Sequence, residues 1–281
     1  MPTFPAPRPV PVTVDVPFAR LHVVASDRDD VVVTVLPSDP SRSGSVRAAE
    51  EVRVERTGDG VAVTYPGSWK QWVLPFAAGT ADVTVELPTG SEVRGRTGSL
   101  HVEGALHAVE MSLSAGDARL GVVDRLTLAV GAGSVHVGRA VTANVKASAG
   151  SVHVDEVAGE VAVKASNGTT TVGTVSGALT VQGAHGDITV RRVRGAVTAR
   201  SAHSSIRVDA LESGSVALTT SFGSIDVGVP EGTAAYLDLA TEHGTVRNQL
   251  TPTDGPVADE ATAEIHASTG YGDVVVRRPH A

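Results

Sequence analysis

The chain has 281 residues, with 23 basic against 31 acidic side chains and a formal net charge of −8. That negative surplus disfavours general nucleic-acid binding, which needs a positive surface to displace counterions. The chain has no cysteine, which excludes disulfides and thiolate metal sites. No stretch approaches the ~20 apolar residues of a membrane span, so no direct membrane insertion is expected.

The apolar residues are mostly Val and Ala, beside only four Phe, three Tyr and two Trp. With 30 Gly, this composition predicts many short β-branched strands joined by tight turns. The opening run, Met1 to Pro9, has no apolar stretch that could serve as a signal-peptide core. A cytoplasmic location is the expectation from that reading.

Along the chain, strands are predicted at Val10 to Val16, Leu21 to Ala25, Val31 to Leu36, Val52 to Arg56, Val61 to Tyr65 and Val83 to Leu87. A short helix is predicted over residues 44–51. The phrase Arg20-Leu21-His22-Val23 resembles a degenerate start of the repeat found further on. The only tryptophans, Trp69 and Trp72, lie in an insert between Pro66 and Pro75. The bland reading is a cap packed on an end of the fold. The functional one is a loop contact.

From Gly98 a short phrase recurs: Gly, a small polar residue, an aliphatic, any residue, Val. It reads Gly98-Ser99-Leu100-His101-Val102, Gly133-Ser134-Val135-His136-Val137, Gly150-Ser151-Val152-His153-Val154, Gly186-Asp187-Ile188-Thr189-Val190 and Gly223-Ser224-Ile225-Asp226-Val227. Gly116, Gly168, Gly244 and Gly272 begin weaker copies, and Ser204 stands for Gly in one. Successive starts are 18, 17, 17, 18, 18, 18, 19, 21 and 28 residues apart. Aliphatics fall into columns, such as Val137, Val154, Val172 and Val190, with polar or small residues between them. An alternation of two puts successive side chains on opposite faces of a strand, whereas a helical face repeats every 3.6 residues. Stacking each repeat on the last buries every column at once. A second set of glycines, Gly159, Gly177, Gly195 and Gly214, marks another corner.

The predicted fold is therefore all-β: a single-chain parallel β-solenoid (β-helix) of ~17–19-residue coils, capped at both ends. Residues 1–90 form an irregular N-terminal β region of early coils with inserts and a cap. Residues 91–281 form the regular solenoid, with a C-terminal insertion at 249–262.

Several phrases together resemble the bacterial "putative adhesin" β-strand-repeat family, a domain of unknown function. They are Ala25-Ser26-Asp27-Arg28, Val83 to Ser91, the Gly-[Ser/Asp]-[Val/Ile]-x-Val coils, Ser166-Asn167-Gly168, Glu231 to Ala235, and Thr269-Gly270-Tyr271-Gly272-Asp273-Val274. The resemblance covers nearly the whole chain. It implies a β-solenoid and supplies no catalytic residues to carry over.

Two outward columns are candidate sites. His101, His136 and His153 share a position three residues after the Gly, which puts His136 and His153 on adjacent coils, ~4.8 Å apart. Two imidazoles make a poor metal site, since structural Zn takes four ligands. No metal or cofactor is expected. The column just before the Gly reads Ala115, Ala132, Ala149, Asn167, His185, His203, Phe222, His243, Tyr271. Its ring-bearing half is either a corner of stacked bulk or a contact ridge for a partner or glycan.

Enzymatic readings are weaker. Glycoside chemistry needs carboxylates about 5–10 Å apart. Asp117, Asp187 and Asp273 share a register several coils apart, and Asp155 and Asp209 share another. The run Arg191, Arg192, Arg194 reads as a solvated corner. The expected function is a non-enzymatic structural or interaction protein of adhesin-like type, with a protein partner or self-association and no nucleic acid. The alternatives are a bactofilin-like self-assembling scaffold and a carbohydrate-active β-helix enzyme.

Overall fold

The computed structural model describes residues 2–66, 79–251, 255 and 260–279. Apart from one helix, its regular elements are all strands. Cα packing divides the chain into two compact units, Met1–Val135 and His136–Ala281.

In the first unit the strand Pro11–Ser26 alternates inward and outward. Val12, Val14, Val16, Leu21 and Val23 are all buried. A shift of register between Val16 and Arg20 breaks this run, where Pro17 and Phe18 interrupt the alternation. On one flank the strand pairs in parallel with Gly60–Thr64 and Ala81–Pro88. On the other it pairs with Glu92–Ala115, which pairs in turn with Ala118–Ala132. Leu21 faces Leu100, His22 faces His101 and Val23 faces Val102. The degenerate phrase at Arg20 is thus in register with the first clear repeat.

This unit departs from a purely parallel arrangement. Arg53–Thr57 pairs antiparallel with Gly60–Thr64, Asp30–Pro37 with Ala81–Pro88, and Thr3–Pro5 with Asp30–Pro37. Between Thr57 and Gly60 only Gly58 and Asp59 remain, with Gly58 at φ +57°. Two residues close a hairpin but are far too few for a parallel crossover. The helix Ser43–Glu51 buries Ser45 and Ala48 against Asp30–Pro37 and Ala81–Pro88.

The second unit contains two parallel ladders. In one, Val154, Val172, Val190, Val208 and Val227 are successive partners, and in the other Val163, Val181, Ala199 and Leu218. All of these are buried. Each such Val or Leu side chain removed from water contributes roughly 1.5–3 kcal/mol before entropy is counted. The small, branched residues that dominate the composition therefore fill equivalent layers.

The corner glycines have two separate physical causes. Gly168 sits at φ +137°, and a Cβ there would lie 1.7 Å from the carbonyl oxygen of Gly150. Gly177, in the second set, has no left-handed backbone, but its Cβ would lie 2.1 Å from the Gly159 carbonyl oxygen. Gly168 therefore needs to be glycine for both conformation and space, Gly177 for space alone.

The stacking order corrects the expectation that each repeat lies on its predecessor. Gly214–Phe222 pairs with Ala261–Tyr271, and Ile225–Gly228 with Val274–Arg277. The segments that come earlier in the chain, Thr233–His243 and Val246–Asn248, pair on the outer side of those strands. The first unit does the same at the other end of the sequence, where Pro11–Ser26 lies between Glu92–Ala115 and the later strands Gly60–Thr64 and Ala81–Pro88. In both units a long strand close to a chain terminus has both edges hydrogen-bonded, Pro11–Ser26 in the first and Ala261–Tyr271 in the second. A terminal strand left at an edge would fray, whereas an outer strand continued by chain at both ends is tethered twice. The inner strand buries Ile265, Val274 and Val276 fully. The outer layer leaves Leu237 and Leu239 half-buried and Val246 42% exposed.

Candidate functional site: outward ring and imidazole columns

Parallel strands in register place equivalent outward side chains about 5 Å apart. The column before the corner glycine therefore becomes a row of rings. His185 stacks on His203 at 5.1 Å, His203 on Phe222 at 5.0 Å, and Phe222 on Tyr271 at 5.0 Å, with planes within 7° of parallel. His243 stacks on the other face of Tyr271 at 4.4 Å and 25°. All five predicted residues are brought together and exposed, but Tyr271 precedes His243 in the row. Phe222 and Tyr271 are half exposed, at 48% and 50%. Beside them lies an open groove of about 430 Å³, floored by Thr219, Ser221, Ser268 and Gly270 and bordered by Glu242.

The inward neighbours of this row hold the corners shut. The hydroxyl of Thr220 donates to the Ser204 carbonyl at 2.9 Å, Thr269 to Gly223 at 2.9 Å and Thr241 to Gly272 at 2.9 Å. The rings thus stand on backbone that is pinned on its buried side. Tyr236, 65% exposed, lies tilted 6.3 Å from His266. No repeat position marks Tyr236 in the sequence, because its register partner is Glu264 and it belongs to no ring column.

The second column also forms. His136 and His153 stack at 5.0 Å and 6°. His101 is matched by His22 at 4.9 Å, with planes tilted by 42°. Each pair converges on a carboxylate two residues along the strand. The Nε2–H groups of His22 and His101 both donate to Glu103 Oε1 at 3.1 Å. His153 Nε2–H donates to Asp155 at 2.8 Å, and His136 Nε2 lies 3.2 Å from its other oxygen. Donation from His101, then His22, holds the Glu103 carboxyl below its ordinary value. The repeat phase alone places His101, His136 and His153 in this column, with His136 and His153 on adjacent coils. His22 and the carboxylates Glu103 and Asp155 were missed as its members. The phrase at Arg20 was the signal for His22, and period-two alternation was the signal for the acids.

The acids considered for catalysis are occupied structurally. Asp117 accepts from the Ser134 hydroxyl at 2.6 Å and amide at 2.8 Å, which lowers its pKa. Asp187 accepts from the Ser205 amide and Asp273 from the Thr245 amide. Each ties its corner to the next layer. Arg192 and Arg194 share the carboxylate of Glu212. Trp69 and Trp72 lie outside the described residues. No described helix is long and apolar enough to cross a membrane.

Parallel ladders in constant register, corner glycines and outward side-chain columns define a β-solenoid-like repeat protein. The Toastrack DUF4097 family profile matches residues 13–277. The chain belongs to that family, a domain of unknown function, in agreement with the resemblance carried by its repeats. Three solved structures are similar to it. A "putative adhesin" from Bacteroides fragilis is 11% identical over 98% of this chain and 95% of that chain, with a TM-score of 0.35. A "putative adhesin" from Parabacteroides merdae is 12% identical over 81% of this chain and 94% of that chain, with a TM-score of 0.38. A "putative cell adhesion protein" from Clostridium sporogenes is 8% identical over 99% and 98%, with a TM-score of 0.25. No curated protein matches.

Proposed function

We propose that the chain is a non-enzymatic interaction scaffold of adhesin-like type: a rigid β-solenoid whose ring row, from His185 to His243, is the contact ridge for a protein partner. The finer architecture belongs to the same reading. It comprises coils of 17–19 residues, irregular capped coils over 1–90, and a regular solenoid over 91–281 with the insertion at 249–262. The carrying observation is the exposed row of five rings set in register on pinned backbone. Rigid aromatic surface at low entropic cost is what interface anchors supply. The absence of catalysis in this reading is supported by the use of Asp117, Asp187 and Asp273 as corner ties.

The test is photo-crosslinking in the native host, with a photoreactive phenylalanine at position 222 or 271 and, as a control, at the outward position 164. The expected result is one protein trapped from both ridge positions and not from 164, with trapping competed by unlabelled chain. The same set of products from all three positions would overturn the ridge.

A second reading, end-to-end self-assembly in the manner of bactofilins, is favoured by one observation. Among the described residues, Thr233–His243 is paired on one side only, over half-buried Leu237 and Leu239. An open edge above apolar side chains is a template for a further strand. Sedimentation across a concentration series separates the readings: a mass that grows with concentration in the native chain, and not in Leu237→Lys, favours assembly.

A further inference from the structure

We propose that His22, His101 and Glu103 form a site for a divalent first-row transition ion of the zinc type, and that His136, His153 and Asp155 form a second copy of it. Each residue offers one ligand atom, and within each group these atoms lie within 4.8 Å of one another. Both imidazole Nε2 atoms of the first group lie 3.1 Å from Glu103 Oε1. In a tetrahedral zinc site, with bonds of ~2.0–2.1 Å, neighbouring donor atoms are about 3.3 Å apart. The nitrogen–oxygen spacing therefore needs only a small expansion. The tilt of 42° between His22 and His101 already turns the rings away from parallel stacking. The stacked pair His136 and His153, at 6°, must rotate further and is the weaker copy.

The placement follows from the repeat. Residues two apart on a strand share a face, so His101 and Glu103, three and five residues after Gly98, point the same way. His153 and Asp155 hold the same positions after Gly150. The second imidazole comes from the strand alongside, at His22 in register with His101. Two imidazoles and a carboxylate, with water in the fourth position, are a complete donor set for an open zinc site. Nitrogen donors select zinc, nickel or copper over calcium and magnesium, which prefer all-oxygen shells. Arg119, the register partner of His101 on its other side, places a cation nearby and limits the affinity. Binding through Nε2 moves the proton that now faces the carboxylate to Nδ1, the other ring nitrogen.

The experiment titrates ZnCl2 into the chelator-treated full chain near neutral pH by calorimetry. Two equivalents are expected, with one in His101→Ala, none in His101→Ala/His153→Ala, and no heat from CaCl2. Histidine side-chain nitrogen NMR should shift Nε2 of His22 and His101 first. Glu103→Gln, which keeps the shape of the carboxylate, should weaken the tighter site at least about ten-fold, and it serves as the deciding variant if circular dichroism finds the alanine variants unfolded. No zinc binding by the native chain, or a stoichiometry and affinity unchanged in folded variants, overturns the proposal.

Discussion

Phe222 stacks on Tyr271, with ring centroids 5.0 Å apart and planes 7° from parallel, although His243 comes before Tyr271 in the chain order of that column. The strand Ala261–Tyr271 has been taken into the ladder between Gly214–Phe222 and Thr233–His243. The double-mutant cycle of Phe222→Ala and Tyr271→Ala should show a coupling of about 0.5–1.5 kcal/mol, the usual worth of an aromatic pair. The cycle of Phe222→Ala and His243→Ala should couple near zero. Urea unfolding of the single and double variants measures both. A larger coupling for Phe222 with His243 would restore stacking in chain order.

The same layer order predicts an inversion of core sensitivity. Ile265 is fully buried between Val216 and Leu237, its register partners, while Leu237 is half-buried. Ile265→Ala should cost about 2–5 kcal/mol, as deep cavities do. Leu237→Ala should cost roughly 1 kcal/mol, in proportion to the smaller area lost. Thermal and urea melts of the two variants decide it, and equal costs would contradict the inner position of Ile265.

Gly168 and Gly177 should respond differently to a methyl group. Gly168→Ala meets both a left-handed backbone and the Gly150 carbonyl oxygen. It should lose about 1–3 kcal/mol from the backbone conformation alone, with the clash added. Gly177→Ala keeps an ordinary backbone and meets only the clash with the Gly159 backbone, whose carbonyl oxygen, carbonyl carbon and Cα would lie 2.1, 2.7 and 2.8 Å away, and should lose less. Gly58→Ala, at φ +57° with no atom within 4 Å, should be the mildest of the three. Chemical denaturation ranks them.

His266 carries a pH dependence with a definite sign. Its Nε2–H donates to Glu264 at 2.8 Å and its Nδ1–H to Asp238 at 3.1 Å, and these bonds raise its pKa above 6.5, Glu264 more than Asp238. A raised histidine pKa means that the folded state holds its proton more tightly. The stabilisation is complete below the unfolded value and is lost as pH rises through the folded one. NMR titration should place His266 above an ordinary imidazole, and Glu264→Gln should lower it more than Asp238→Asn does. Asp117 has the opposite sign. Its carboxyl sits below 3.8 through the Ser134 bonds, so its contribution persists above that value and fades as pH falls through the folded pKa.

Much of the site was legible because the repeat carries its own coordinates. All five ring residues, His185, His203, Phe222, His243 and Tyr271, were assigned to one column from their position before the corner glycine. The structure brings all five together. Their order was not legible. The last two repeat spacings, 21 and 28 residues, signalled an irregularity but not that a strand would enter between two earlier ones. The first metal-competent cluster was half legible. His101 was placed in its column, but its partner His22 lies in the early, degenerate region, where a single phrase was the whole signal.

The strand alternation, the inward columns and the corners were written in the order of residues alone. These depend on residue type at a fixed spacing: side chains alternate every residue, and only glycine tolerates Gly168's backbone and its approach to the layer before it. Tertiary structure alone decided which layer neighbours which. Closing a longer loop costs little more than closing a short one. The chain near its C-terminus is therefore free to skip a layer and bury Ile265 and Val274 with both strand edges paired, leaving the tethered segment around Leu237 outside.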